Sequence, residues 1–384
     1  MSTRCPTCGT VYADDVKFCA KDGARLLTGV TGTPTPPTPP LGVASVTPPR
    51  SPAAPAAPPS AESRAPSPAV PPFGGRTVDF SKLAGMLLDN RYQVAKKIGE
   101  GGMSFVYLAQ DTNTGEKVAI KILSPALIKD QNAMARLRRE AALGGRLAHP
   151  NVCHIIRLGE TANGLVYIVM PFVQGELLCD RTVRMGRIEL AVAAGFVKDM
   201  SAGLQVAHEL GIIHRDLKPE NIMVVTRPDG TERAVVMDFG LAKERQVSAE
   251  VQKLTATGIV LGTPEFMSPE QLRGKPLDPR TDVYSLAIMT YEMLTGKLPF
   301  PGRTQQEIMI ARLKGDPIPI RTMRPELNFP AAVERVLAKA MARDADQRYA
   351  STVEFGDAFA RAAAGEDVPD AEGGGGVLGK LFGR

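Results

Sequence analysis

His214-Arg215-Asp216-Leu217-Lys218-Pro219-Glu220-Asn221 is followed, seventeen residues after Asn221, by Asp238-Phe239-Gly240. This short span supplies an acid, a cation and two further oxygen-bearing side chains. Asp216 is suited to accept the proton of a hydroxyl group. Lys218 is suited to hold a phosphate, and Asn221 and Asp238 offer oxygen ligands to a hard cation such as Mg2+. Transfer of a phosphoryl group from a metal-bound nucleotide calls for this set. Its loose transition state needs positioning and charge neutralisation more than covalent help.

The upstream sequence extends the same chemistry. Gly99-Glu100-Gly101-Gly102-Met103-Ser104-Phe105-Val106 sits between two strand-like runs, with Tyr92-Gln93-Val94 before it and Phe105-Val106-Tyr107-Leu108-Ala109 at its end. Glycine lets a backbone approach phosphates closely with its N–H groups facing them. Val118-Ala119-Ile120-Lys121 reads as a buried strand ending in a lysine, about 15 residues past that loop. Glu140 falls in the helical stretch running from Met134 to Leu143. Tyr167-Ile168-Val169-Met170-Pro171-Phe172-Val173 reads as a buried strand that runs into a connecting segment. Pro171 has no N–H there but keeps its carbonyl.

From about Tyr92 to Arg361, roughly 270 of 384 residues, the chain resembles a protein kinase, specifically the bacterial serine/threonine kinases of the eukaryotic-like, Hanks type. The motifs stand in the family's order. The resemblance implies an α+β, bilobal fold, with an N-lobe of antiparallel strands plus one helix over 91–172 and a mainly helical C-lobe over 173–362. It implies that Ile98, Gly99, Glu100, Gly101, Gly102, Met103, Ser104 and Val106 line the ATP site, with Val106 over the adenine ring and Ala119 in the same site. Lys121 resembles the lysine on the α- and β-phosphates, and Glu140 its partner. Met170 sits at the back of the adenine pocket, which is read by the Pro171 carbonyl and the Val173 N–H. Asp216 resembles the catalytic base. Lys218 marks the serine/threonine class and contacts the γ-phosphate, and Asn221 and Asp238 hold Mg2+ or Mn2+.

The chain departs from the family at several points. Ser104 stands at the third glycine and implies a stiffer loop. Gly144-Gly145 follow in the Glu140 helix, where relatives carry a bulkier residue at position 144. Each glycine inside a helix costs about 1 kcal/mol against alanine, which predicts a weakly docked helix. Arg215 before Asp216 implies activation by a phosphate in the segment from Asp238 to Glu270, through charge-assisted hydrogen bonds. Thr255 and Thr257 are the candidate sites, with Ser248 behind them. Thr263 is a further candidate, although its place in the substrate platform Gly262-Thr263-Pro264-Glu265 suits it better to positioning the substrate hydroxyl. Ser268 replaces the family's usual alanine before Pro269-Glu270. Glu270 is expected to pair with Arg348, and Asp282 to brace the catalytic loop from a long helix near Thr281–Leu294. The implied partners are proteins with Ser or Thr hydroxyls, including a second copy for trans-autophosphorylation. The rival reading is a nucleotide-binding pseudokinase scaffold. Such proteins lack one or more of the residues found here at Lys121, Asp216 and Asp238.

Composition narrows the choice further. With 43% apolar residues, no tryptophan, 5% aromatics and a net charge of +5, the chain suits neither a nucleic-acid stacking platform nor a basic binding groove. No run of 18 apolar residues predicts a membrane span. The start, Met1-Ser2-Thr3-Arg4-Cys5, lacks the apolar core of a signal peptide, so a cytoplasmic protein is expected.

Three of the five cysteines fall in the first 20 residues, as Cys5-Pro6-Thr7-Cys8 and Phe18-Cys19-Ala20-Lys21-Asp22. The spacing resembles a zinc ribbon over residues 1–27, with Cys5, Cys8, Cys19 and Asp22 as ligands of one Zn2+. A metal-free ribbon and redox chemistry are the alternatives. So small a unit cannot build a sufficient core without its metal. Residues 28–90, dominated from Thr28 to Pro72 by Pro, Ala, Ser and Thr, read as a disordered, semi-extended linker. A short amphipathic element is expected at Phe80 to Asn90. Residues 363–384 read as a glycine-rich flexible tail.

Overall fold

Valine, isoleucine and tyrosine crowd residues 92–123 and 166–171, β-branched and aromatic residues suited to the strands of one sheet, with alternating burial over 104–111 and nearly continuous burial over 117–123 and 166–171. The computed structural model describes residues 2–4, 11–13, 82–101, 104–124, 131–161, 164–239 and 264–368. The chain divides into two units, Met1–Gly74 and Gly75–Arg384. In the first, strands β1 (Ser2–Arg4) and β2 (Val11–Ala13) pair antiparallel, with Thr3 opposite Tyr12.

The second unit opens with an antiparallel sheet of strands β3 (Leu87–Leu88), β4 (Tyr92–Gly101), β5 (Ser104–Asp111), β6 (Lys117–Leu123), β7 (Arg157–Glu160) and β8 (Val166–Pro171), ordered β3-β4-β5-β6-β8-β7. Strand β6 is buried on both faces. Val118, Ile120 and Ile122 join Tyr92, Tyr107 and Tyr167 in one cluster. Ala119 and Leu123, on the opposite face, pack with Met134 and Leu137 of helix α1 (Gln131–Gly144). The amphipathic element expected at Phe80–Asn90 includes the edge strand β3. Leu83 and Leu88 are buried there, while Met86 and Leu87 are exposed.

The glycine pair that predicted a loosely docked helix has a different role. Helix α1 ends at Gly144, so neither glycine lies in its interior. Gly144 is buried, and a Cβ there would lie 2.9 Å from Ile155 Cδ1. Ile155 thus fills the space that a larger side chain at position 144 would need.

The C-lobe starts with β9 (Glu176–Leu177), α2 (Leu178–Met185) and α3 (Leu190–Glu209), followed by the hairpin β10 (Ile222–Thr226) and β11 (Glu232–Val236). Helices α4 (Pro269–Leu272), α5 (Arg280–Thr295), α6 (Gln305–Lys314), α7 (Ile320–Met323), α8 (Ala331–Ala340) and α9 (Thr352–Ala363) complete it. Helix α5 is buried along almost its whole length, as a helix at the centre of a core must be. Two of its threonines bond back into the helix: Thr290 Oγ1 donates to the Leu286 carbonyl at 2.7 Å and Thr295 Oγ1 to the Tyr291 carbonyl at 2.8 Å. The lobes are stitched together by residues 151–153. Cys153 N–H donates to the Val236 carbonyl at 2.9 Å, and Val236 N–H to the Asn151 carbonyl at 2.8 Å.

Candidate active site

The catalytic loop is held in a conformation it would not adopt alone. Arg215 has φ 65° and Asp238 φ 49°, left-handed values that cost a non-glycine residue about 1–3 kcal/mol unless the surroundings impose them. Here they are imposed. Asp282, on the first turn of α5, accepts from His214 N–H at 2.8 Å and Arg215 N–H at 3.1 Å. Gln271 Nε2 donates to the Arg215 carbonyl at 2.7 Å. Asp282 is fully buried. Burial works against its charge, but the hydrogen bond and charge of His208, 2.7 Å away, together with His214, hold its carboxyl below the usual range.

Asp216 is brought together with two of its expected neighbours. Asn221 Nδ2 donates to the Asp216 carbonyl at 2.7 Å and to its Oδ2 at 3.2 Å, and Lys218 Nζ lies 3.6 Å from the same Oδ2. The 3-10 turn Pro219–Asn221 makes this possible by folding Asn221 back over the loop. With Nδ2 committed, Asn221 keeps Oδ1 as an acceptor. Met237 N–H donates to the Asn221 carbonyl at 2.8 Å, which sets Asp238 beside that turn. His214 joins the two motifs: Nε2 meets the Met237 carbonyl at 2.9 Å, and its ring lies 4.9 Å from that of Phe239.

Sheet register brings in the N-lobe residues. Gly99 pairs with Val106, Val106 with Lys121, and Lys121 with Ile168 across β4, β5, β6 and β8. One row away, Leu108, Ala119 and Met170 are aligned. Paired residues share a face, so Gly99, Val106, Ala119, Lys121 and Met170 lie on the face that also carries Met223 and Val173 of the C-lobe. Ile98, next to Gly99, is exposed. Lys121 Nζ reaches Asp238 Oδ2 at 2.9 Å. Glu140 lines the same pocket as Asp238, Met170 and Phe239. Cys153 Sγ approaches the Pro171 carbonyl at 3.7 Å, a weak contact that leaves that carbonyl a lone pair for another donor. Burial, reinforced by the negative charge of Asp238, pushes the Cys153 thiol up to about 12, so it behaves as an inert core thiol.

The donor set fits Mg2+ and a nucleotide. Mg2+ takes one or two protein oxygens and completes its shell with phosphates and water. One carboxylate, Asp238, lies beside Lys121, and one amide oxygen, on Asn221, beside Asp216, a donor set suited to that role.

Residues 92–356 match the protein kinase domain family. This chain belongs to the protein kinase family. It is 36% identical over 280 residues to the serine/threonine-protein kinase pkn3 of Myxococcus xanthus, covering 73% of this chain and 51% of that one. It is 37% identical over 271 residues to the serine/threonine-protein kinase PknB of Mycobacterium tuberculosis, covering 70% and 42% respectively. The chain thus spans about half or less of the length of these relatives. The crystal structure of the Mycobacterium tuberculosis PknI kinase domain superposes with a TM-score of 0.57 at 26% identity, covering 73% of this chain and 98% of that one.

In this protein kinase domain the scaffold around Glu270 is also built. Arg348 Nη1 and Nη2 grip the two Glu270 oxygens at 2.7 and 2.9 Å, and Thr281 Oγ1 adds a bond to Glu270 at 2.8 Å. Burial opposes the Glu270 charge, and Arg348 outweighs it, leaving the carboxyl below its usual range. Ser268 caps α4: its Oγ accepts from Gln271 N–H, and Gln271 returns a bond to Ser268 N–H. That reciprocal cap gives the serine at the family's alanine position a physical reason.

Some residues of the kinase site had no sequence signal of their own. Met223 reaches the face that carries Val106, Ala119 and Met170 because β10 alternates buried Ile222 and Val224 with a half-buried Met223. Glu292, on α5, is pushed up to about 7 by burial, with the charges of Glu220 and Glu265 adding to it. Residues 220, 265 and 292 are remote in sequence, so only folding reveals this acidic group. Gly102, Met103, Thr255, Thr257 and Thr263 lie outside the described residues, as do Cys5, Cys8, Cys19 and Asp22.

Proposed function

We propose that the chain is a serine/threonine protein kinase that transfers the γ-phosphoryl group of ATP to Ser or Thr hydroxyls of proteins. The observation that carries this reading is the junction of Asp216, Lys218 and Asn221 in one hydrogen-bonded loop, next to the Lys121–Asp238 pair. In the proposed reaction Asp216 orients the substrate hydroxyl and takes its proton as the new O–P bond forms and the bond from the γ-phosphorus to the bridging oxygen breaks, so that ADP leaves. Lys218, adjacent to Asp216 Oδ2, offsets charge on the moving phosphoryl group, and Lys121 holds the α- and β-phosphates. Glu140, in the same pocket, is proposed to orient Lys121. Mg2+, held by Asn221 and Asp238, supplies Lewis-acid stabilisation of the phosphate oxygens when bound. Ile98, Gly99, Gly101, Val106, Ala119, Met170, Pro171 and Val173 form the nucleotide site.

The experiment is direct. The full chain is incubated with labelled ATP, Mg2+ and a protein substrate, alongside Asp216→Asn. Label is expected on serine or threonine, falling at least ~10²-fold in the variant as general-base help is lost. Equal labelling by the variant would sink the assignment of the base.

The reading extends to regulation and organisation. Autophosphorylation at Thr255, Thr257 or Thr263, in a transient pair of chains, would supply the anion that Arg215 attracts, and mass mapping after incubation with ATP tests this. ATP as the donor places the reaction in the cytoplasm. No helix among the described residues is long and apolar enough to cross a membrane. We further propose a ribbon at 1–27, a linker that begins at residue 28 but ends before the buried Leu83 instead of at 90, and a tail that begins past the buried Val368 instead of at 363, with the kinase domain between them. The antiparallel pairing of β1 with β2 supports the ribbon, since the connection between them carries Cys5 and Cys8. Zn2+ bound by Cys5, Cys8, Cys19 and Asp22 predicts one zinc per purified chain, lost on Cys8→Ser. A chain free of zinc after expression in zinc-supplemented medium refutes it.

A further inference from the structure

We propose that Arg312 is a positioning residue for the protein substrate. From helix α6 it fixes the backbone of residues 264–267, the platform beside which a phosphoacceptor peptide lies. This deepens the kinase reading and rests on it for the identity of the platform.

Arg312 is 1% exposed, in the middle of the C-lobe's substrate side. Its Nη1 donates to the Pro264 carbonyl at 2.5 Å and the Met267 carbonyl at 2.9 Å, and its Nη2 to the Glu265 carbonyl. The remaining carbonyl of the turn, that of Phe266, accepts from Ser285 Oγ on α5 at 2.8 Å. All four carbonyls of this short turn are therefore tied to helices behind it. Helix α6 holds on twice more. Gln305 Nε2 reaches Glu265 Oε1 at 3.4 Å, and Arg273, just past α4, donates to the Leu313 carbonyl at 3.2 Å.

Packing alone does not call for an arginine here. Burying a cation is costly, and an apolar residue of similar volume usually serves stability as well or better. The acceptors are backbone carbonyls, so the guanidinium gains no neutralising carboxylate from these bonds. What it adds is direction: a planar fork of donors that fixes several acceptors at set angles, which a lysine's single ammonium cannot match. The turn leads directly into Ser268 and the α4 cap, whose Gln271 holds the Arg215 carbonyl beside Asp216. Arg312 thus registers the peptide platform against the catalytic base without touching either substrate.

The test uses full-length Arg312→Met and Arg312→Lys with a synthetic serine peptide phosphorylated by the wild-type chain. Peptide and ATP are varied separately. Arg312→Met is expected to raise the peptide KM about tenfold, the worth of lost charge-assisted hydrogen bonds, with the ATP KM unchanged. Arg312→Lys is expected to recover part of that loss. In parallel, amide hydrogen exchange is compared between wild type and variants, with faster exchange expected at 264–268 and none of the change reaching α5. An unchanged peptide KM, an equal rise in both KM values, or identical exchange at 264–268 overturns the positioning role. A wild-type chain that labels no protein or peptide overturns the kinase reading instead, and the exchange comparison then still decides whether Arg312 holds the turn.

Discussion

Asp282 is a charge without solvent, and its surroundings explain why the chain tolerates it. Its two oxygens serve His208, the His214 N–H and the Arg215 N–H, so the carboxylate replaces water with fixed donors. Its depressed pKa gives the sign of its pH dependence. The stabilisation is complete above the ordinary carboxylate pKa of ~3.9 and is lost as pH falls through the lower folded-state value. Asp282→Asn keeps the shape but removes the charge. It should destabilise the kinase unit by ~3–5 kcal/mol, the cost of breaking a buried charge network, and should flatten the acid limb of a denaturation series. An unchanged midpoint in urea at pH 7 would rule the bracing role out. The sequence alone pointed to Asp282 and to the Glu270–Arg348 pair, because both follow from the family resemblance. Arg312 and Glu292 carry no such mark, since what matters about them is which distant carbonyls and carboxylates surround them.

Among the elements, α3 depends on a close approach that no propensity scale reveals. Gly203, in the middle of this 20-residue helix, would place a Cβ 2.8 Å from the Asn151 carbonyl and 3.0 Å from Val152 Cγ2. Asn151 in turn is fixed to β11 through its backbone and through Nδ2, which donates to the Ala234 carbonyl at 2.8 Å. Backbone cannot give way as a flexible side chain does. Gly203→Ala should therefore lose ~1–3 kcal/mol by overpacking, despite the better helix propensity of alanine. A thermal melt at or above wild type would contradict this. Helix α1 teaches the converse lesson. Its glycines read locally as a weakness, but they end the helix and admit Ile155, a fact that depends on a residue eleven positions away.

For the whole molecule, the proposed nucleotide site draws on both lobes, with Lys121 from the sheet and Asp216, Asn221 and Asp238 from the C-lobe. A ligand that binds only the folded state stabilises it by mass action. Mg-ATP at about 100 times its Kd should add ~2.7 kcal/mol, raising the melting temperature of both wild type and Asp216→Asn, with EDTA removing most of the gain. No shift in either protein would argue against a nucleotide site. The order of motifs from Gly99 to Asp238 was enough by itself to identify the family, and through that resemblance the bilobal fold. The resemblance rests on residue type and motif order along the chain. Tertiary structure alone decided that Lys121 meets Asp238, that Ile155 occupies the space at Gly144, and that a buried arginine on α6 holds the turn at 264–267. These outcomes depend on strand register and helix packing, which bring together residues whose separation in sequence carries no information about their separation in space.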